Sequence, residues 1–209
     1  MKLEQVNPVD IEKRSFEIIT EELGDKKLKP GTEHIVKRCI HTSADFDYAD
    51  NLLFSKDAIE SASKALRSGA VIITDTNMGK AGINKKALGK LGCTVECFIA
   101  DSDVSEIAKI NGSTRATAAV DKAATITKPI IFAVGNAPTA LVRIYELIEA
   151  GKIKPDLIIG VPVGFVNVIQ SKELIISAGV PYIVAKGRKG GSNIAACIVN
   201  ALLYDLAGR

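Results

Sequence analysis

The chain has 209 residues, of which 27 are Lys or Arg and 24 are Asp or Glu, and its formal net charge is +3. So small a surplus gives no basis for nucleic-acid binding, and no apolar run approaches the roughly 20 residues needed to cross a bilayer. The opening segment MKLEQVNPVD is polar, unlike a signal peptide, so a soluble cytoplasmic protein is expected, with no membrane and no nucleic acid as partner.

Two helices are predicted first. Asn7-Pro8 offers a cap and a first-turn proline, Ile11, Phe16, Ile19 and Leu23 follow at helical spacing, and Gly24 closes the segment. A second helix starts near Gly31-Thr32, carries Ile35, Val36, Cys39 and Ile40, and ends where His41-Thr42-Ser43-Ala44-Asp45 turns polar. From there short apolar runs alternate with helical patterns. The runs at residues 70–74, 94–99, 130–134, 157–159 and 182–185 read as strands, and those at 58–67, 85–91, 114–124, 137–149, 166–177 and 193–206 as helices. Trp is absent and aromatics make up only 5%, so aliphatic side chains must fill the core, as they do in a parallel sheet buried on both faces. The fold class expected is α/β: a three-layer, open, mostly parallel sheet with helices on both faces, preceded by two N-terminal helices. No linker divides the chain, so residues 1–209 are expected to form one domain.

In such sheets ligands sit beyond the carboxyl ends of the strands. The loops to inspect are Asp75-Thr76-Asn77-Met78-Gly79, Gly135-Asn136-Ala137-Pro138-Thr139, the GVPVGF run at 160–165, and Lys186-Gly187-Arg188-Lys189-Gly190-Gly191-Ser192. The loop at Gly135 and Asn136 leads into a helix whose free N–H groups suit an anion, though an ordinary turn and cap would read the same way. The 186–192 loop combines three cations with three glycines before another helix. Carboxylate or phosphate recognition is its natural use, and Arg188 is suited to bidentate pairing. Neither a Walker A spacing nor a GxGxxG after the first strand is present, so a nucleotide- or sugar-phosphate enzyme rests on glycines at helix starts alone.

Histidine occurs twice. His34 sits among polar residues at a helix start and reads as a surface residue. His41 lies at a helix end, and its imidazole is the side chain suited to hold and release a proton near neutrality. Ser43 beside His41 does not make a hydrolase, because no G-x-S-x-G elbow is present. Of the four cysteines, Cys39, Cys93, Cys97 and Cys197, the pair Cys93 and Cys97 lies four apart with no nearby histidine to complete a zinc set, and buried free thiols of a reducing compartment are the reading.

Taken together, Arg14-Ser15-Phe16, the RCIHTSADF run at 38–46, Asp75-Thr76-Asn77-Met78, Thr114-Arg115-Ala116, Gly135-Asn136-Ala137-Pro138-Thr139-Ala140, GVPVGFVNVIQSKE at 160–173 and Gly187-Arg188-Lys189-Gly190-Gly191-Ser192 resemble the precorrin-8X and cobalt-precorrin-8 methylmutases over nearly the whole chain. The resemblance implies a homodimer with its site near the interface, no cofactor and no protein-bound metal, any cobalt belonging to the substrate. It implies an isomerase that moves a methyl group from C-11 to C-12 of a precorrin-8-type tetrapyrrole by a [1,5]-sigmatropic shift, with His41 as the catalytic general acid. Substrate contacts then fall to Arg14, Ser15, Arg38, Thr42, Ser43, Arg115, Gly135, Asn136, Arg188, Lys189, Gly190 and Gly191. Arg14 and Arg38 could equally be surface helix charges. A non-catalytic tetrapyrrole carrier is the alternative, and would not depend on His41.

Overall fold

The structure, a computed structural model, describes residues 3–208. Its centre is a six-stranded sheet in the order β1-β6-β5-β4-β2-β3. The strands are β1 (Leu52–Phe54), β2 (Val71–Thr74), β3 (Thr94–Glu96), β4 (Ile130–Val134), β5 (Leu157–Gly160) and β6 (Tyr182–Ala185). The order is consistent with the expected mostly parallel sheet: β3 to β2, β2 to β4, β4 to β5 and β5 to β6 all pair in parallel. Only the edge strand β1 runs antiparallel, Leu52 opposing Ala185.

Alternation along the strands sorts the core into two layers. Ile72, Ile131, Ala133, Leu157, Ile159 and Ile183 face α2 (Glu33–Ser43), α4 (Ala58–Arg67), α6 (Lys85–Lys90) and α11 (Ser192–Ala207). Val71, Ile73, Phe132, Val134, Ile158 and Val184 face α8 (Arg115–Ala123), α9 (Pro138–Glu149) and α10 (Val168–Ser177). Before α2, a 3-10 turn at Pro8–Asp10 leads into α1 (Ile11–Leu23), and Gly24 with φ 53° ends it. α1 packs along α2, which in turn lies on α11.

Five elements differ from the sequence expectation. α3 (Tyr48–Asn51) and β1 are too short to carry a period. α5 (Asn77–Gly82) occupies what reads as a loop, started by the Thr76 hydroxyl accepting from the Gly79 N–H. α7 (Ser102–Ile110) buries only Val104 and Ala108, too narrow an apolar face to stand out. The run expected as a strand over 94–99 leaves the ladder after Glu96, because β3 has a partner on one side only. Among the described residues no helix is long and apolar enough to cross a membrane.

Candidate active site

The loops after β2, β4, β5 and β6 interlock at the carboxyl end of the sheet. Asp75, just beyond β2, accepts from three successive backbone N–H groups of the next loop: Gly135 at 2.9 Å, Asn136 at 2.8 Å and Ala137 at 2.6 Å. Burial holds the Asp75 carboxyl above the usual carboxylate range, even though each of those N–H donors favours the anion. The start of α9 is therefore already occupied by a carboxylate of the chain itself.

Backbone contacts tie the remaining loops together. A Cβ on Gly135 would lie 2.5 Å from the Ser192 Cα, and one on Gly190 would overlap the Val161 carbonyl oxygen. Only glycine allows these approaches. The Gly191 N–H donates to Val161 O at 2.9 Å, the Gly164 N–H to Arg188 O at 3.2 Å, and the Thr76 and Ser192 hydroxyls meet at 2.7 Å. Thr114, the cap of α8, reaches Thr139 in the first turn of α9 at 3.0 Å, which brings Arg115 to the same end of the sheet.

The two cations of the last loop differ in their surroundings. Lys189 bridges Asp45 at 2.7 Å and Asp47 at 2.6 Å, just past the end of α2, and these carboxylates raise its ammonium while Lys189 lowers the Asp45 carboxyl. Arg188 is exposed and makes no ion pair among the described residues; its guanidinium lies 5.5 Å from the centroid of the Phe165 ring. That ring is itself 81% exposed, beside Val166 at 79%. Beneath the loop lies Lys172, on α10 and only 1% exposed, whose Nζ donates to Gly187 O at 2.8 Å and Lys189 O at 2.9 Å.

His41 stands in the last turn of α2, exposed, its ring stacked on Phe16 of α1 at 5.3 Å and 19°. A mostly apolar cavity of about 240 Å³ opens beside it, lined by Ser15, Ile18, Ile19, Ile40 and Phe46 among others. The helix ends in a left-handed turn at Ala44, φ 53°, which sends the chain towards Asp45 and Asp47 and so towards Lys189. His41 and the basic loop are thus joined through one salt-bridged turn.

The model of the family described as precorrin-8X methylmutase matches residues 10–205. The chain is 46% identical over 205 residues to the cobalt-precorrin-8 methylmutase of Salmonella typhimurium, covering 95% of this chain and 96% of that one. It is 45% identical over 197 residues to the protein of the same name from Priestia megaterium, covering 94% and 88%. The solved structure of the precorrin-8x methyl mutase of Thermus thermophilus superposes with a TM-score of 0.87 at 39% identity, covering 96% of each chain. The chain belongs to the precorrin-8X methylmutase family. It is therefore an enzyme of the methylmutase class, an isomerase.

Within this methylmutase fold the residues singled out from sequence divide into two groups. Arg115, Arg188 and His41 point no charge or ring nitrogen at an internal partner of opposite charge among the described residues. The others are engaged. Arg14 is ringed by Glu4 at 2.8 Å and by Glu17 and Glu21 at 3.6 Å. Arg38 pairs with Glu12 at 3.0 Å and lies 5.2 Å from the Phe16 centroid and 5.1 Å from that of Tyr204, cementing α1 and α11 to α2. Ser15 and Ser43 each donate to the carbonyl one turn back, Ile11 and Cys39. The Thr42 hydroxyl donates to the Cys197 sulfur at 3.1 Å, and the hydrogen bonds from Cys39 and Thr42 hold the Cys197 thiol below its usual range. All four cysteines are buried and unpaired.

Two corrections follow. The anion site read at Gly135 and Asn136 is filled by Asp75, leaving the alternative of a capped turn. His34 is half-buried rather than a surface residue, and its Nε2 is buried without a hydrogen-bond partner among the described residues. Sequence reasoning assigned no role to Asp75, Lys172 or Phe165, although each lies in a segment it singled out. The one local signal was a lysine at position 172, at helical spacing from Val168 and Ile175 on the buried face of α10.

Proposed function

We propose that this methylmutase acts on a precorrin-8-type tetrapyrrole, moving the methyl group from C-11 to C-12 by a [1,5]-sigmatropic shift, with His41 as general acid. The observation that carries the reading is the position of His41: exposed, oriented by its stack on Phe16, beside an apolar cavity, and tied through Asp45 and Asp47 to the basic loop. In the shift the methyl carbon leaves C-11 with the ring's π electrons rearranging as it bonds to C-12. A proton delivered by His41 to the conjugated macrocycle draws electron density along the system as the methyl moves. Substrate and product are isomers, so that proton is balanced by one released elsewhere on the ring, and the imidazole is restored. One aligned acid of this kind contributes roughly 10²–10⁴-fold.

Acetate and propionate groups of the tetrapyrrole meet Arg188 and Arg115, the two of the five candidate cations without a carboxylate partner among the described residues; Gly190 and Gly191 serve the subsite by letting the loop backbone close on Val161. Lys189 acts through Asp45 and Asp47, by holding the loop against the end of α2. The working form is a homodimer with the site near the interface. Its support is the exposed apolar run Val163, Phe165 and Val166 on the loop facing Arg188, a surface that a second copy would cover.

The test is His41→Ala assayed by the visible absorbance of the tetrapyrrole. Turnover is expected to fall at least about 10²-fold while substrate binding stays within about threefold of wild type. Turnover within about threefold of wild type would overturn the role of His41. A wild-type protein that binds the tetrapyrrole without converting it would be a carrier.

A further inference from the structure

Lys172 is the most deeply buried charge of the described residues, and the chemistry above makes no use of it. Its two hydrogen bonds go to the carbonyls of Gly187 and Lys189, the residues on either side of Arg188. The carbonyl between them, that of Arg188, is held by the Gly164 N–H. Three successive carbonyls are thus fixed from below, and the Arg188 side chain is left to project outward against Phe165. Burial lowers the Lys172 ammonium to about 8, and among the described residues no carboxylate offsets it. An apolar side chain of that volume would serve packing as well or better. A buried ammonium bonded only to backbone oxygens instead fixes a loop and leaves its positive field uncancelled.

We infer that Lys172 is a positioning residue of the substrate-carboxylate subsite, gripping the backbone on both sides of Arg188. The inference rests on the reading that Arg188 pairs with a carboxylate of the tetrapyrrole. Without the grip, the glycines at 187 and 190 leave Arg188 free to sample many positions, and the cost of ordering it falls on binding. The contact is made equally before and during the methyl shift, so its loss appears in KM and not in kcat.

The experiment is a double-mutant cycle of Lys172→Met and Arg188→Ala, with steady-state kinetics on the precorrin-8 substrate and a thermal melt of each protein. Expected are a rise in KM of about tenfold for Lys172→Met, kcat within about threefold of wild type, and less than a twofold further rise when Lys172→Met is added to Arg188→Ala. A structural role alone would move the melt and leave the two KM effects to multiply; that result, or an unchanged KM in Lys172→Met, overturns the inference. If Arg188→Ala by itself leaves KM unchanged, it is the carboxylate-binding reading of Arg188 that fails. Should Lys172→Met not fold, Lys172→Gln runs the same cycle: its side chain is one bond shorter and loses the grip on the two carbonyls, so the same KM rise and the same coupling to Arg188→Ala are expected.

Discussion

Two glycine-bearing turns lead from this sheet into long helices, one at Gly135 before α9 and one at 186–191 before α11. By composition either could take an anion. The first is closed: Asp75 reaches across from the next strand and takes three of its N–H groups. The second is open: its backbone is equally well tied, by three carbonyls held by Lys172 and Gly164 and by the Gly191 N–H on Val161, yet no carboxylate takes its N–H groups and its arginine has no carboxylate partner among the described residues. The difference lies in the neighbouring loop. A helix start is a binding site only where the fold has not already supplied an anion, and that is a property of the strand next door.

The largest expected effect comes from reopening the closed turn. Asp75→Ala strands three N–H groups, one hydrogen bond to a charged group contributing about 1.5–3 kcal/mol, so a loss of roughly 3 kcal/mol is expected overall. At about 2–4 °C per kcal/mol for a chain of this size, the melting temperature should fall by about 10 °C. Sulfate should recover more stability in the variant than in wild type, having a vacated site to enter. An unchanged melt with no sulfate effect would break the contrast between the two turns.

A pH series examines the open turn. The Lys172 ammonium is lowered to about 8 in the folded protein from an ordinary 10.5. Between those values the unfolded chain holds a proton that the folded chain has released, so this lysine's contribution to stability rises with pH from about 8 to 10.5. Below about 8 the burial cost is fully present. The stability of wild type relative to Lys172→Met should thus improve by on the order of 2–3 kcal/mol between about pH 7 and about pH 10.5 in denaturant titrations. A difference flat with pH would mean that the amine is not held in this apolar setting.

A third comparison separates two glycines of the open turn. Gly187 has φ +79°, and a methyl group added there would meet nothing within 4 Å, so Gly187→Ala should cost only about 1–2 kcal/mol of backbone strain. A methyl group on Gly190 would be driven into the Val161 carbonyl oxygen, and Gly190→Ala should cost more than about twice as much in the same melts. Equal costs would show that the loop is loose enough to yield, and that Arg188 is not held in place.

The alternation of elements was legible along the chain because β2, β4 and β5 are buried on both faces, and a strand buried on both faces reads as an unbroken aliphatic run. The same logic hid β1: three residues on an edge, half-buried, with an antiparallel partner more than a hundred residues away. His41 was legible because histidine is scarce and this one sits at a helix end inside a run that resembles a known family. Whether a given arginine was free was not legible. Arg14 reads as a helix residue and Arg188 as a loop residue, but what each pairs with is set by three glutamates around one and an aromatic ring beside the other.

The sequence by itself therefore determined the layered α/β plan, the loops at the carboxyl ends of the strands and the family, since burial period, turn residues and motif order are local properties read in one dimension. Only the tertiary structure decided which of those loops is spent on the fold and which faces outward. Asp75 and the Gly135 turn lie sixty residues apart, Lys189 and Asp47 more than a hundred and forty, and the pairing of charges across such distances is set by how the strands are ordered in the sheet.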